Sequence, residues 1–193
     1  MPRVKTFDEN EVLVKAMNLF WKQGYSATSV QDLVSHLGIN RASLYDTFGD
    51  KDQLFKKSFT LYRKTNIEGL NQFFESHPNV KNGFAELFEI AIQESLLDKE
   101  SKGCFVVNTA TELIPNDESM IKVIEENKRD FESLFFEYLK KGKDKGQLKT
   151  NQDLRSLASL LFMLYNGIKV VSKINPQEEE LKSSVKLALT LVC

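Results

Sequence analysis

Residues 28–51 read TSVQDLVSHLGINRASLYDTFGDK, two short helical patterns joined at Leu37-Gly38-Ile39-Asn40. Gly38 gives that joint the backbone freedom a tight inter-helix turn needs. Thr28 and Gln31 stand at capping-box spacing ahead of the first helix. If both segments are helical, Leu33, Leu37, Ile39, Leu44 and Phe48 close a small core, leaving Arg41, Ser43, Tyr45 and Asp46 outside. This is the layout of a helix-turn-helix. The second helix of such a pair is the element that enters a DNA major groove.

The same residues carry a family likeness. The run Leu44-Tyr45-Asp46-Thr47-Phe48-Gly49-Asp50-Lys51 resembles the signature of TetR-type transcriptional regulators, a Leu-Tyr-x-x-Phe recognition helix leading to a Lys at the next helix. Upstream, AMNLFWKQG at 16–24, with Tyr25 and Thr28, is similar to that family's first helix and its Gly-aromatic-x-x-Thr step. The likeness covers roughly the first quarter to third of the chain, with several matches at fixed spacing. It implies an all-α homodimer with a three-helix DNA-binding head at 1–49 and a helical ligand-binding and dimerisation domain at 50–193. It also implies a ligand-responsive regulator, most often a repressor, released from a pseudo-palindromic operator by a small-molecule inducer.

Helix faces and likeness together nominate Thr28, Ser29, Gln31, Asn40, Arg41, Ala42, Ser43, Tyr45, Asp46 and Lys51 for double-stranded DNA. Arg41 has the fork that bonds guanine O6 and N7 together, or it grips phosphate. Tyr45 faces outward and suits a phosphate contact, a position that commonly touches the DNA backbone in the resembling family. Lys51 opens a helix, where amides and dipole also favour phosphate. Asp46 departs from the neutral, basic or aromatic residue usual there in the family; it accepts from a cytosine N4 or holds a neighbouring cation. Gln31 either caps the second helix or reaches a base.

Composition is compatible with this and does not decide it. The chain has 193 residues, 41% hydrophobic with 14 Phe, enough for a sizeable core. Net charge is -1, yet residues 1–64 carry a balance of +3 and the remainder -4. Non-specific phosphate affinity should therefore be modest. Two distant cysteines, Cys104 and Cys193, make no disulfide framework and fit a reducing cytoplasm. The N-terminus shows no signal-peptide core, and the apolar run 157–171 is interrupted by Ser159, Asn166 and Lys169, so no membrane association is expected.

Along the chain, helices are expected at about 8–23, 51–75 (capped by Asp50 with Gln53), 80–97, 104–113, 118–141, 154–171 and from Pro176 onward. Pro115-Asn116-Asp117 should break the chain, and residues 142–146 should turn. The 154–171 helix is apolar round most of its circumference, so it needs neighbours on both sides. With the last helix (Leu181, Val185, Ala188, Val192) it should pack on its own domain and on a second copy.

A mostly apolar pocket is expected from Phe84, Phe88, Phe105, Phe131, Phe135, Tyr138 and Tyr165, with Asn108, Thr109 or Glu112 as polar anchors; the alternative is that the aromatics fill the core. Cys104 follows Lys102-Gly103, a Gly-Cys step found in a subset of the family. A thiol at a helix N-terminus beside Lys102 can acquire a lowered pKa and sense electrophiles or oxidants, or it is simply a small hydrophobe. His36 and His77 have no partners at triad or metal-ligand spacing, so neither an enzyme, a metal nor a cofactor is expected. The remaining alternative is a small-molecule-binding helical protein that does not bind DNA.

Overall fold

A computed structural model describes residues 7–114, 117–174 and 177–192. Among them the regular structure is helical, without a strand. The order is α1 (Glu9–Gln23), α2 (Val30–Leu37), α3 (Arg41–Phe48), α4 (Lys51–Ser76), α5 (Val80–Leu97), α6 (Phe105–Leu113), α7 (Glu118–Asp144), α8 (Leu154–Val171) and α9 (Glu178–Leu189), closed by a 3-10 turn at Thr190–Val192. The expected positions of Pro115, Asn116, Pro176 and Cys193 lie outside the described residues.

Local chemistry sets most boundaries. Asp8 accepts the N–H groups of Asn10 and Glu11 at 2.7 and 3.1 Å, starting α1, and Gly24 ends it at φ 83°. The capping box expected for α4 is formed: Asp50 accepts from the Gln53 N–H at 2.8 Å, and the Gln53 side chain accepts from the Asp50 N–H at 3.1 Å. At α2 the expectation is off by one residue. Ser29, not Thr28, is the N-cap: its hydroxyl accepts from the Asp32 N–H at 3.1 Å, and the Asp32 carboxylate accepts from the Ser29 N–H at 2.9 Å. Thr28 is fully buried and donates its hydroxyl to the Gly24 carbonyl at 2.6 Å, closing the α1–α2 loop instead.

Two more boundaries move. Cys104 is the N-cap of α6, outside its first turn. α7 runs through Gly142 to Asp144, and Gly146, at φ 69°, makes the turn. Gly142 is glycine for another reason: a Cβ there would come within 2.7 Å of Val80 Cγ2, where α5 crosses α7.

The buried side chains form two apolar clusters. One joins α1, α2 and α3 to the first half of α4, through Phe20, Leu33, Leu44, Phe48, Leu54, Phe55, Phe59 and Tyr62, and continues into Phe105 of α6 and Met120 of α7. The other packs the second half of α4 with α5, α7, α8 and α9 around Phe74, Phe84, Phe88, Phe135 and Leu161.

α8 is buried on one side only within a single chain. Leu157, Ala158, Leu161 and Ile168 are covered, whereas Leu160, Met163, Val170 and Val171 are exposed. Its 18 residues, at mean hydropathy 1.3, suffice by length and composition to cross a membrane. The helix is longer than the interrupted run 157–171, because Leu154, Arg155 and Ser156 form its first turn. Its buried side packs on α5 and α7.

Candidate nucleic-acid interface and core cavities

The head presents α3 through two caps. Gly38 takes the left-handed conformation (φ 67°, ψ 25°) that ends α2. Asn40 then accepts the Ser43 N–H at 2.8 Å and starts α3. Leu44 and Phe48 point inward at 0% and 4% exposure. Arg41, Ala42, Tyr45 and Asp46 are therefore left on the outer face, all exposed. The Arg41 guanidinium carbon lies 5.9 Å from the Tyr45 ring centre. Both side chains thus share one patch.

Ser29, Gln31 and Asn40 are also exposed, Ser43 and Lys51 are half-buried, and Thr28 is enclosed. Nine of the ten nominated residues therefore lie on or near the head surface, and Thr28 does not. Lys51 is the first residue of α4, its ammonium 4.2 Å from the Tyr25 ring centre. That cation–π contact holds it beside the α4 N-terminus. The outer face of α3 thus supplies a guanidinium and a phenol, and the start of α4 an ammonium. Such a set can grip phosphates and reach base edges.

Of the two arrangements expected for the core aromatics, most of the rings take the second and pack against one another. Phe84 packs edge-on to Phe74 and Phe135 and tilted on Tyr138, and Tyr138 stacks on Phe74 at 4.0 Å. Phe105 meets Phe55, Phe59 and Tyr62, and Phe88 is wholly buried. These rings fill the core, because each finds an aromatic or aliphatic neighbour at van der Waals distance.

Of the polar anchors, Asn108 and Glu112 are engaged elsewhere and Thr109 is buried. The Asn108 amide donates to the Lys102 carbonyl at 2.8 Å, and its oxygen accepts from Lys173 at 2.7 Å. Thr109 is 2% exposed. Glu112 accepts the backbone N–H groups of Tyr25 and Ser26, in the head.

Open space lies beside these residues. A groove of about 710 Å³ runs between α1, α4, the end of α5 and the following loop, lined by Met17, Trp21, Tyr62, Asn66, Leu97 and Lys169 among others. A void of about 10 Å³ is enclosed by Tyr62, Asn66, Cys104, Asn127, Phe131, Tyr165 and Lys169. Asn127 is 3% exposed, and its Oδ1 meets no donor.

Around that void burial shifts the ionisable groups. Burial raises the phenols of Tyr165 and, with Cys104 adding to it, Tyr62, so both stay neutral. Burial pulls the Lys169 ammonium down, but Tyr165, Glu94 and Cys104 more than offset it and hold it above its ordinary value. Lys169 therefore remains a cation. Phe131 and Tyr165 are the two nominated pocket aromatics that line this void. Sequence reasoning missed Asn127 and Lys169; a polar residue on the apolar stripe of each helix was the available signal. Among the described residues no group of three or more His, Cys, Asp or Glu is placed to hold a metal ion.

Comparison with known proteins covers the whole chain. Residues 12–57 match the family model described as bacterial regulatory proteins, tetR family, and residues 84–187 the model described as tetracyclin repressor-like, C-terminal domain. The chain is 31% identical over 193 residues to the uncharacterized HTH-type transcriptional regulator YezE of Bacillus subtilis (strain 168), covering 100% of both. It is 28% identical to the HTH-type transcriptional repressor ComR of Escherichia coli (strain K12), covering 98% of this chain and 90% of the other. Among solved structures, a cysteine mutant of the regulator CifR, complexed with 26-bp double-strand operator DNA, superposes with a TM-score of 0.86 at 27% identity, covering 99% of this chain and 100% of the other.

Proposed function

This chain belongs to the tetR family of bacterial regulatory proteins, and from that premise we propose that it is a homodimeric repressor, released from a pseudo-palindromic operator when a small molecule binds its core. By family it is a DNA-binding, non-enzymatic transcriptional regulator with a helix-turn-helix head. The observation that carries the reading is the outer face of α3, where Arg41 and Tyr45 stand exposed together. ComR's description as a repressor and CifR's complex with operator DNA support it. A cytoplasmic location follows from the role.

The dimer reading is supported by apolar residues left uncovered on α8 and α9: Leu160, Met163, Val170, Val171 and Leu187. Paired with their symmetry mates they make a four-helix bundle, and the two heads then read half-sites at a separation set by the core. An inducer acts by binding better to the core geometry in which the heads are wrongly spaced. The small void beside Asn127 and Lys169, otherwise lined mostly by apolar side chains, is where the lining best supports a place for its polar end. Asn127 Oδ1, which meets no donor, and the Lys169 ammonium offer an acceptor and a donor suited to a small polar group such as a hydroxyl, and the groove past Trp21 and Leu97 offers room for an apolar body.

A second reading, thiol sensing through Cys104, is favoured by its place at the α6 N-cap, next to Tyr62 and lining the same void. Thiol titration with DNA release monitored in parallel separates the two: release that tracks thiol loss assigns the switch to Cys104. The main test is selection of bound sequences from a random duplex library. An enriched inverted repeat is expected. Failure to enrich any sequence would sink the repressor reading and leave a small-molecule-binding helical protein.

A further inference from the structure

Glu112 lies on the last turn of α6 and reaches out of its own domain. Its Oε2 accepts the Tyr25 N–H at 3.0 Å and its Oε1 the Ser26 N–H at 2.6 Å. Those amides follow Gly24, the end of α1, and lead into α2. A side chain at Gly24 would put a Cβ 2.9 Å from Glu112 Oε2, at a φ of +83° that L residues rarely adopt. Glycine is what lets the carboxylate come in.

Tyr25 extends the junction, its ring edge-on to Phe55 of α4 at 4.9 Å and beneath the Lys51 ammonium at 4.2 Å. The ends of α1 and α6 and the start of α4 therefore meet at one carboxylate. Burial pushes its carboxyl up, but the N–H groups of Ser26 and Tyr25 and the charge of Lys51 more than offset it, so Glu112 is ionised at neutral pH. Near the other end of α6, the Trp21 Nε1–H donates to the Gly103 carbonyl at 3.1 Å.

We infer that Glu112 is a positioning residue for DNA recognition: it clamps the α1–α2 loop to α6, so that the core dictates where each recognition helix sits. The inference rests on the reading that two heads engage two half-sites together. Glu112 touches no DNA in this account. It restricts the orientation of the head, so its loss widens the range of half-site separations the dimer accepts.

The test uses the full-length protein and the duplex enriched by selection, remade with the half-site spacing shortened or lengthened by one and two base pairs. Glu112→Ala should lose about tenfold in affinity at the preferred spacing, where charged hydrogen bonds are removed. Off-spacing duplexes should change by less than about threefold. The spacing preference flattens while the salt slope stays as in wild type, because no phosphate contact is lost. Glu112→Gln should fall between, since its amide keeps one acceptor oxygen.

Amide exchange of the free protein supplies a readout that needs no operator. Tyr25 and Ser26 should lose protection in Glu112→Ala while Leu33 and Leu44 keep theirs. An unchanged spacing profile, or an equal loss at every spacing as a merely destabilised head would give, overturns the proposal. If wild type enriches no duplex, the repressor reading falls by itself. The amide exchange then decides the clamp, and unchanged protection at Tyr25 and Ser26 refutes it.

Discussion

Arg41 and Lys51 answer to different parts of DNA, and each has a partner in the free protein that shapes its expected loss. Arg41→Ala should relax preference at one base pair per half-site and cost about 1–3 kcal/mol if the contact is bidentate. Lys51→Ala should weaken all sequences alike and flatten the salt dependence. Because Lys51 also rests on the Tyr25 ring, its removal should cost about 0.5–1 kcal/mol of stability as well. Titration against the operator and its single-base variants at two salt concentrations, beside thermal melts, separates these effects. Glu112 carries a pH signature: a depressed carboxyl contributes stability above its ordinary value of 4.5, lost as pH falls through the lowered folded value. The melting difference between wild type and Glu112→Gln should be present at neutral pH and vanish on acidification. A difference that persists in acid would mean the charge is irrelevant to the clamp. Arg41 and Tyr45 were legible in the sequence because Leu44 and Phe48 fix which way α3 faces. The role of Glu112 was not, since its partner Tyr25 lies 87 residues away.

Helix ends were legible where the capping chemistry is local. Asp50 with Gln53, Gly24 and Gly38 all stand where periodicity and capping rules place them. The α2 cap is ambiguous by one residue in the sequence because Thr28 and Ser29 are both good caps, and only the folded loop shows which hydroxyl is taken by Gly24. The two readings make opposite predictions. Ser29→Ala should cost about 1 kcal/mol, whereas Gln31→Ala should leave stability within about 0.5 kcal/mol of wild type. Urea unfolding of the two variants decides it, and a larger loss for Gln31 would restore the rejected register. The expectation of a turn at Gly142 fails for a related reason. A glycine that permits close helix packing and one that permits a turn look alike until the neighbour, here Val80, is in place.

At the scale of the molecule, the uncovered apolar side of α8 predicts association. Sedimentation at micromolar concentration should give about twice 22.1 kDa. Met163→Glu, on that exposed side at 57%, should shift the protein toward monomer without disturbing either apolar cluster. A wild type that sediments as a folded monomer would refute the bundle. The division into a head and a core was visible in the sequence as a change of motif. The packing blurs it, because the cluster under α1, α2 and α3 draws on Leu54, Phe55, Phe59 and Tyr62 of α4 and on Phe105 of α6. That continuity limits how regulators of this build can be recombined. A chimera that transplants the DNA specificity of this chain onto another body by cutting at residue 49 would strand Phe20, Leu33 and Leu44 without the rings they pack against. The portable cassette instead ends after Tyr62. It needs from its new host a glutamate and a phenylalanine placed like Glu112 and Phe105, so specificity here travels with part of the scaffold that reads it out.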